Sequence, residues 1–221
     1  MLDKLLVSDI LYAATSTGAE FAEVFVENNK KNSLGLINGK LERALSGIDF
    51  GIGIRIINKD RMVYVYTNKK DRESLINLAK NGATAIKGNS KQKQIVFNDL
   101  DYRKINNNNI EIYPSSIYSN KIVEIMKEGS NTAFNYNPLI TQTSIGYMDS
   151  IQNVFVTDER TRCRLSVNAV ASNENEKQTG YFGPGAMKGI EFLDTINIKN
   201  IATEAARSAV TMLNAKDCPS G

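Results

Sequence analysis

Few side chains in this chain are suited to covalent or metal chemistry, and their types limit what they can do. The sequence holds no histidine and two cysteines, Cys163 and Cys218. A reactive thiol needs a base or a cationic neighbour to become a thiolate, and without imidazole neither cysteine has the commonest base. A zinc site built on them would have to be completed by carboxylates, in no recognisable ligand spacing. Glu174 and Glu176 alternate in Asn173-Glu-Asn-Glu, where turn composition leaves carboxylates solvated. Gly51-Ile-Gly53 begins like a dinucleotide loop, but the third glycine is absent, Ile56 following Arg55, and the segment reads as strand. The expectation is that no catalytic, cofactor-binding or metal-ligating residue lies in these 221 positions.

The residues that could still recognise something sit between Thr157 and Gly185. Strand periodicity puts Cys163, Leu165, Val167, Ala169 and Ala171 on one face, and Arg160, Arg162, Arg164, Ser166 and Asn168 on the other. Arginines at alternate positions repel one another and need carboxylate or backbone partners. Such a face is either the solvated outside of an antiparallel sheet or a surface that docks a partner domain or an extended peptide. Gly183-Pro184-Gly185 reads as a turn, proline setting φ and glycine supplying positive φ. It is either structural or pressed against another domain or subunit. Arg160, Arg162, Arg164, Gly183, Pro184 and Gly185 are therefore the candidate peptide or interface contacts.

The elements that must position these residues follow from periodicity. Leu2, Leu5, Leu6, Ile10, Ala13 and Ala14 recur at helical spacing, with Gly18 as a stop. Ala22, Val24 and Val26, then Leu34 and Leu36, mark two strands, with Asn28-Asn-Lys-Lys-Asn32 as the turn between them. Phe50, Ile52, Ile54 and Ile56 make the cleanest strand, and its reverse-face glycines leave room for a close approach. Asn58-Lys-Asp-Arg61 then turns into a hairpin partner at Met62 to Thr67. Asp71 caps a helix carrying Leu75, Leu78, Ala79, Gly82 and Ile86 and ending by Gly88. Residues 89–113, centred on Asn106 to Asn109, read as a polar linker or long loop.

The second half repeats the plan. A helix starts at Pro114 or Ser115 and stops before Asn137-Pro138. Strands are expected at Leu139 to Met148, Gln152 to Thr157, Arg160 to Ser172 and Gln178 to Phe182, before a last helix through Ile201, Ala205, Ala209 and Leu213. Helix, strands, helix twice over predicts an α+β fold of antiparallel sheets covered by helices on one face. The expected halves are 1–88 and 114–221, joined by the linker at 89–113.

Composition bounds the rest. Hydrophobic residues at 42% and charged residues at 23% suit a globular chain with a real core. A net charge of +3, from 27 basic and 24 acidic residues, is too small and dispersed for a nucleic-acid footprint. The basic runs at Lys69-Lys70, Lys87 to Lys93 and Arg103-Lys104 lack interleaved aromatics. No signal peptide, no run of the roughly 18 apolar residues that span a bilayer, and two unpatterned cysteines point to the cytoplasm, with no membrane contact.

One family shares several of these stretches. The strand Arg160-Thr-Arg-Cys-Arg-Leu-Ser-Val, the Thr179-Gly-Tyr-Phe-Gly-Pro-Gly segment and the closing Ala205-Ala-Arg-Ser-Ala-Val-Thr-Met-Leu-Asn-Ala-Lys-Asp-Cys-Pro-Ser-Gly resemble the TldD/PmbA family, metallopeptidases also named as modulators of DNA gyrase. Phe21-Ala-Glu-Val-Phe-Val-Glu, Gly51-Ile-Gly-Ile-Arg-Ile-Ile and Tyr66-Thr-Asn fall in the order that family places them. The Gly-Pro-Gly segment favours its TldD branch.

The resemblance implies an N-terminal domain. The family's chemistry belongs to a His-Glu-x-x-x-His motif in its C-terminal half, and this chain stops at Gly221, before that half begins. It further implies zinc in the full-length protein, hydrolysis of unfolded peptides by a zinc-bound water, and a homodimer or a heterodimer with a PmbA-like subunit. This chain would shape the substrate chamber without performing catalysis. The other reading is a non-catalytic interaction or scaffold module of a PmbA-like subunit. Neither involves direct DNA contact.

Overall fold

The computed structural model describes residues 2–86, 109–114, 119–154 and 158–216. The fold is α+β, an antiparallel sheet packed against helices. The chain runs α1 (Lys4–Ala14), β1 (Phe21–Ile37), β2 (Lys40–Asn58), β3 (Arg61–Thr67) and α2 (Arg72–Thr84). It continues as α3 (Ser119–Tyr136), β4 (Ile140–Val154), β5 (Asp158–Ser172), β6 (Lys177–Phe182), β7 (Gly185–Ala186), a short 3-10 helix (Ile190–Thr195) and α4 (Ile198–Leu213). Hydrogen-bonded strands follow the order β3-β2-β1-β4-β5-β6, and β7 also pairs with β5.

The described residues form two compact units, and the long strands contribute to both: β1 divides after Asn29, β2 after Gly47, and β4 after Ile151. Each has its own core. In the first unit, Ile52, Ile54 and Ile56 of β2 are fully buried with Ile10 and Ala14 of α1 and Leu75 and Ala79 of α2. Both helices are capped by an aspartate. Asp3 accepts from the Leu6 N–H and Asp71 from the Ser74 N–H, each at 2.8 Å, which satisfies a donor that the helix itself leaves unpaired. Gly53, on the other face of β2, lies beneath the Tyr64 phenol. The close approach expected on that face is therefore made by an aromatic ring of β3.

In the second unit, Cys163, Leu165, Val167, Ala169 and Ala171 of β5 face the core with Met126 and Ala133 of α3 and Ala202, Ala205, Ala206 and Ala209 of α4. A helix face built of alanines can come very close to a sheet. At Gly180 of β6 it does: a Cβ there would strike the Ala205 carbonyl oxygen and the Ala209 nitrogen.

Three expectations are corrected. Asn28 to Asn32 is no turn, since β1 runs unbroken through it. Nor is there a break between Met148 and Gln152, which lie inside β4. The polar residues that suggested interruptions are cross-strand partners. The Asn32 side-chain amide donates to Asp149 at 2.7 Å, and Gln152 donates to Glu27 at 2.8 Å. With β2 on one side and β4 on the other, the β1 backbone is paired along both edges, and pairing overrides turn propensity.

The third correction concerns Gly183-Pro184-Gly185. Val167 lies opposite Phe182 and Arg164 opposite Gly185, three residues further along both strands, so the register continues across the proline. The chain does not reverse. Among the described glycines only Gly18 and Gly39 have positive φ. Pro184 accepts from the Leu165 N–H at 3.1 Å but has no N–H to return, so one rung of the ladder is lost while the strand direction is kept. Reversals with positive φ are at Asn38-Gly39, with φ of 50 and 75°, as expected of a two-residue hairpin, and at Lys59, with φ of 54°; β5 turns into β6 at Asn173 to Glu176, where the Asn173 N–H donates to the Glu176 carbonyl at 3.1 Å.

The start proposed for the second-half helix, at Pro114 and Ser115, runs into residues 115–118, which lie outside the described residues, as do residues 89–108 of the proposed linker.

The fit between α4 and β6 leads to a direct expectation. Gly180→Ala forces a methyl against helix backbone and should destabilise the chain by about 1–3 kcal/mol, the usual cost of overpacking. Gly51→Ala, with nothing within 4 Å among the described residues, should be neutral or mildly stabilising. Urea unfolding of the two variants checks this, and equal midpoints would contradict the packing.

Candidate functional site

The outward face of β5 carries Arg160, Arg162, Arg164, Ser166 and Asn168, as the alternation requires. Arg162 and Arg164 are exposed, while Thr161, Cys163 and Leu165 between and beside them are buried. β6 supplies the adjoining row: Tyr181 stands opposite Asn168 and Thr179 opposite Val170. The Arg164 guanidinium donates to the Tyr181 hydroxyl at 2.6 Å, its central carbon lying 6.0 Å from the ring centroid. The Tyr181 phenol lies across Gly183, where a Cβ would collide with it and crowd Ser166. A Cβ on Gly185 would sit 3.2 Å from the Cys163 carbonyl oxygen and 3.4 Å from the Arg164 side chain.

Of the six candidate contacts, the fold thus brings Arg164, Gly183 and Gly185 together, with Tyr181 between. Pro184 is their link. Arg162 is the next outward residue along β5, and Arg160 lies one repeat further, about 13 Å from Arg164 along the strand. Tyr181 was not singled out by sequence reasoning. Its signal was there in the alternation Thr179, Tyr181, Gly183, which puts a large ring beside a residue with no side chain.

The inward face holds a second group of polar residues, Tyr147 and Asp149 buried and Asn32 partly so. The Tyr147 hydroxyl donates to one carboxylate oxygen of Asp149 at 2.9 Å, and Asn32 donates to the other at 2.7 Å. Burial is the largest influence on Asp149 and raises its pKa; the bonds from Asn32 and Tyr147 and the charge of Lys30 oppose it without cancelling it. Burial likewise raises Tyr147. It pushes the Cys163 thiol up to about 11, so Cys163 is a protonated core residue at neutral pH and not a nucleophile. Cys218 lies outside the described residues.

Glu191 shows the opposite balance. Burial would raise it, but the backbone N–H groups of Gly189, at 2.8 Å, and Ile112, at 3.0 Å, bind its two oxygens and hold it below the usual range. Its carboxylate ties the segment around Ile112 to the start of the 3-10 helix. That is a structural task.

Two family models match the chain: PmbA/TldA metallopeptidase domain 1 over residues 22–86, and the PmbA/TldA metallopeptidase central domain over residues 112–213. The chain belongs to the PmbA/TldD metallopeptidase family. A metalloprotease of Methanocaldococcus jannaschii is 27% identical over 218 residues, covering 91% of this chain and 46% of its own. A TldD-homologue metalloprotease of Haemophilus influenzae is 23% identical and is covered to 45%. The chain thus spans about half the length of these relatives. Among solved structures, a candidate modulator of DNA gyrase from Bacteroides thetaiotaomicron superposes with a TM-score of 0.70 at 18% identity, over 99% of this chain and 52% of that one. TldE from Thermococcus kodakarensis gives 0.54 at 10% identity, over 93% and 47%. At these identities the structures attest to the fold.

A metallopeptidase family implies a metal, and the residues present here do not fit one. Among the described residues no three His, Cys, Asp or Glu side chains converge, and the sequence has no histidine to offer. The nearest approach to a donor set, Tyr147, Asp149 and Cys163, holds its hydroxyl and thiol protonated and spends its carboxylate on Tyr147 and Asn32. Among the described residues no helix is long and apolar enough to cross a membrane.

The buried carboxylate sets a pH dependence. A pKa raised on folding means that the folded chain holds a proton there which the unfolded chain has released, so stability falls as pH rises through the folded pKa. Asp149→Asn, which keeps the shape and can accept from Asn32 while donating to Tyr147, should abolish that slope. Urea midpoints measured upward from the ordinary carboxylate range, about pH 4, and below the range where Cys163 titrates, should decline more for the native chain than for the variant. Parallel profiles would show that Asp149 is not the group responsible.

Proposed function

We propose that this chain is the N-terminal structural and substrate-chamber part of a TldD-like metallopeptidase that hydrolyses peptide bonds in unfolded peptides. The observation that carries the reading is a pairing of two facts. The matched regions are domain 1 and the central domain of the family, and together they occupy most of the chain; yet the chain contains no histidine. Relatives named as metalloproteases are about twice as long. Metal binding, with zinc as the expected ion, and bond cleavage would then fall to residues outside these 221.

On this reading the chain acts in the cytoplasm, as a homodimer or beside a PmbA-like subunit, and does not contact DNA directly. Arg160, Arg162, Arg164 and Gly183 to Gly185 are the residues assigned to contact with peptide or partner. An exposed strand edge would also pair with the main chain of a bound peptide, a mode that tolerates many sequences.

The test is a fluorogenic peptide assay of the 221-residue chain with and without added zinc. No chelator-sensitive turnover is expected. Measurable turnover that vanishes with chelator would place catalysis within this chain and end the proposal.

A further inference from the structure

We infer that the outward face of β4, β5 and β6 in the second unit binds acidic, extended polypeptide, with carboxylates at alternate positions of the bound segment. The inference rests on the reading that this face meets polypeptide, and it names the chemistry of what is met. Charge is the first argument. The chain as a whole is close to balanced, with 27 basic and 24 acidic residues, but this face is not. Its outward positions are Gln142, Ser144, Gly146, Met148 and Ser150 on β4, Arg160 to Ser172 at alternate residues on β5, and Lys177, Thr179 and Tyr181 on β6, continuing to Gly183 and Gly185. None is a carboxylate. The acidic residue of β4, Asp149, points the other way and is buried.

Shape is the second argument. Around the arginines the surface is low: Gly146 lies against Ser166, and Gly183 lies under the Tyr181 ring. Arg162 and Arg164 rise from this floor as exposed side chains. Their spacing along β5, two strand residues or about 6.6 Å, matches the same-face repeat of another extended chain. Arg164 is held in place by the Tyr181 hydroxyl at 2.6 Å, which occupies one of five guanidinium N–H donors and leaves a fork for a carboxylate.

Nucleic acid is the other polyanion to consider. It fits less well, because Tyr181 is the one aromatic among these outward positions and its hydroxyl is committed to Arg164, whereas single-strand binding calls for successive aromatic faces open to bases.

The experiment uses the full chain and fluorescence anisotropy at low salt. The probes are a labelled peptide alternating Glu and Ser, the same peptide with Gln for Glu, and a labelled single-stranded oligonucleotide. The Glu peptide should bind about ten-fold more tightly than the Gln peptide, the scale of two partly exposed charge-assisted contacts. Arg162→Ala and Arg164→Ala should each weaken it, while Lys80→Ala, an exposed lysine of α2, should not. Circular dichroism of each variant confirms folding. Equal affinity for the Glu and Gln peptides would overturn the acidic preference and leave polypeptide docking standing. Binding of neither would remove both. Oligonucleotide binding as tight as that of the Glu peptide, lost in the same arginine variants, would overturn the inference in favour of nucleic acid.

Discussion

The alternation along β5 is the constraint on which the second unit depends. One strand serves two surfaces, and the pleat allows no compromise between them. A slip of one residue would turn Cys163, Leu165 and Val167 out to solvent and drive Arg160, Arg162 and Arg164 into the alanine face of α4. Exposing each of the larger apolar side chains would forfeit about 1.5–3 kcal/mol. Burying an unpaired guanidinium would cost several more. Both penalties act in the same direction, so the pairing Val167 to Phe182 and Arg164 to Gly185 is specified from either face.

Inside that frame, small residues decide distances. Gly180 and the alanines of α4 let helix backbone rest on strand backbone, and Gly183 leaves room for the Tyr181 phenol on the far side. The buried polar groups are fewer and more exacting. Asp149 is tolerated because Tyr147 and Asn32 each occupy one of its oxygens, and Glu191 because backbone N–H groups do the same. The two carboxylates shift in opposite directions because Asp149 lies deeper, where desolvation outweighs its two side-chain donors, whereas Glu191 is less desolvated and receives backbone N–H groups. Each carboxylate has both oxygens engaged by these donors.

Much of this was readable from residue order. The two faces of β5, the buried row Ile52, Ile54, Ile56 and the Asp71 cap depend on neighbours a few positions away, and periodicity reports such neighbours well. What stayed hidden depended on distant ones. Asn32 falls in a stretch of turn composition and Asp149 between two expected strands, because the partner that makes each a strand residue lies 117 positions away. Gly183-Pro184-Gly185 was misread for a related reason. Its composition is that of a turn, and only the register against Arg164 and Val167 shows that the chain goes straight on. The outward arginines were visible, but Tyr181, which fixes Arg164, was not, since the ring earns its position from the glycine two residues later.

One feature of the first hairpin bears on how the chain behaves in solution. Among the described residues, β3 pairs with β2 from Ile52 to Asn58, and the residues before it, Lys40 to Asp49, are exposed, including Leu41, Leu45 and Ile48. A ribbon with uncovered apolar side chains is a template on which further strands can stack. Lys40, Glu42, Arg43 and Asp49 interrupt it with charge of both signs. These ions guard against fibre-like growth, and because salt screens them, the guard is weakest in concentrated electrolyte.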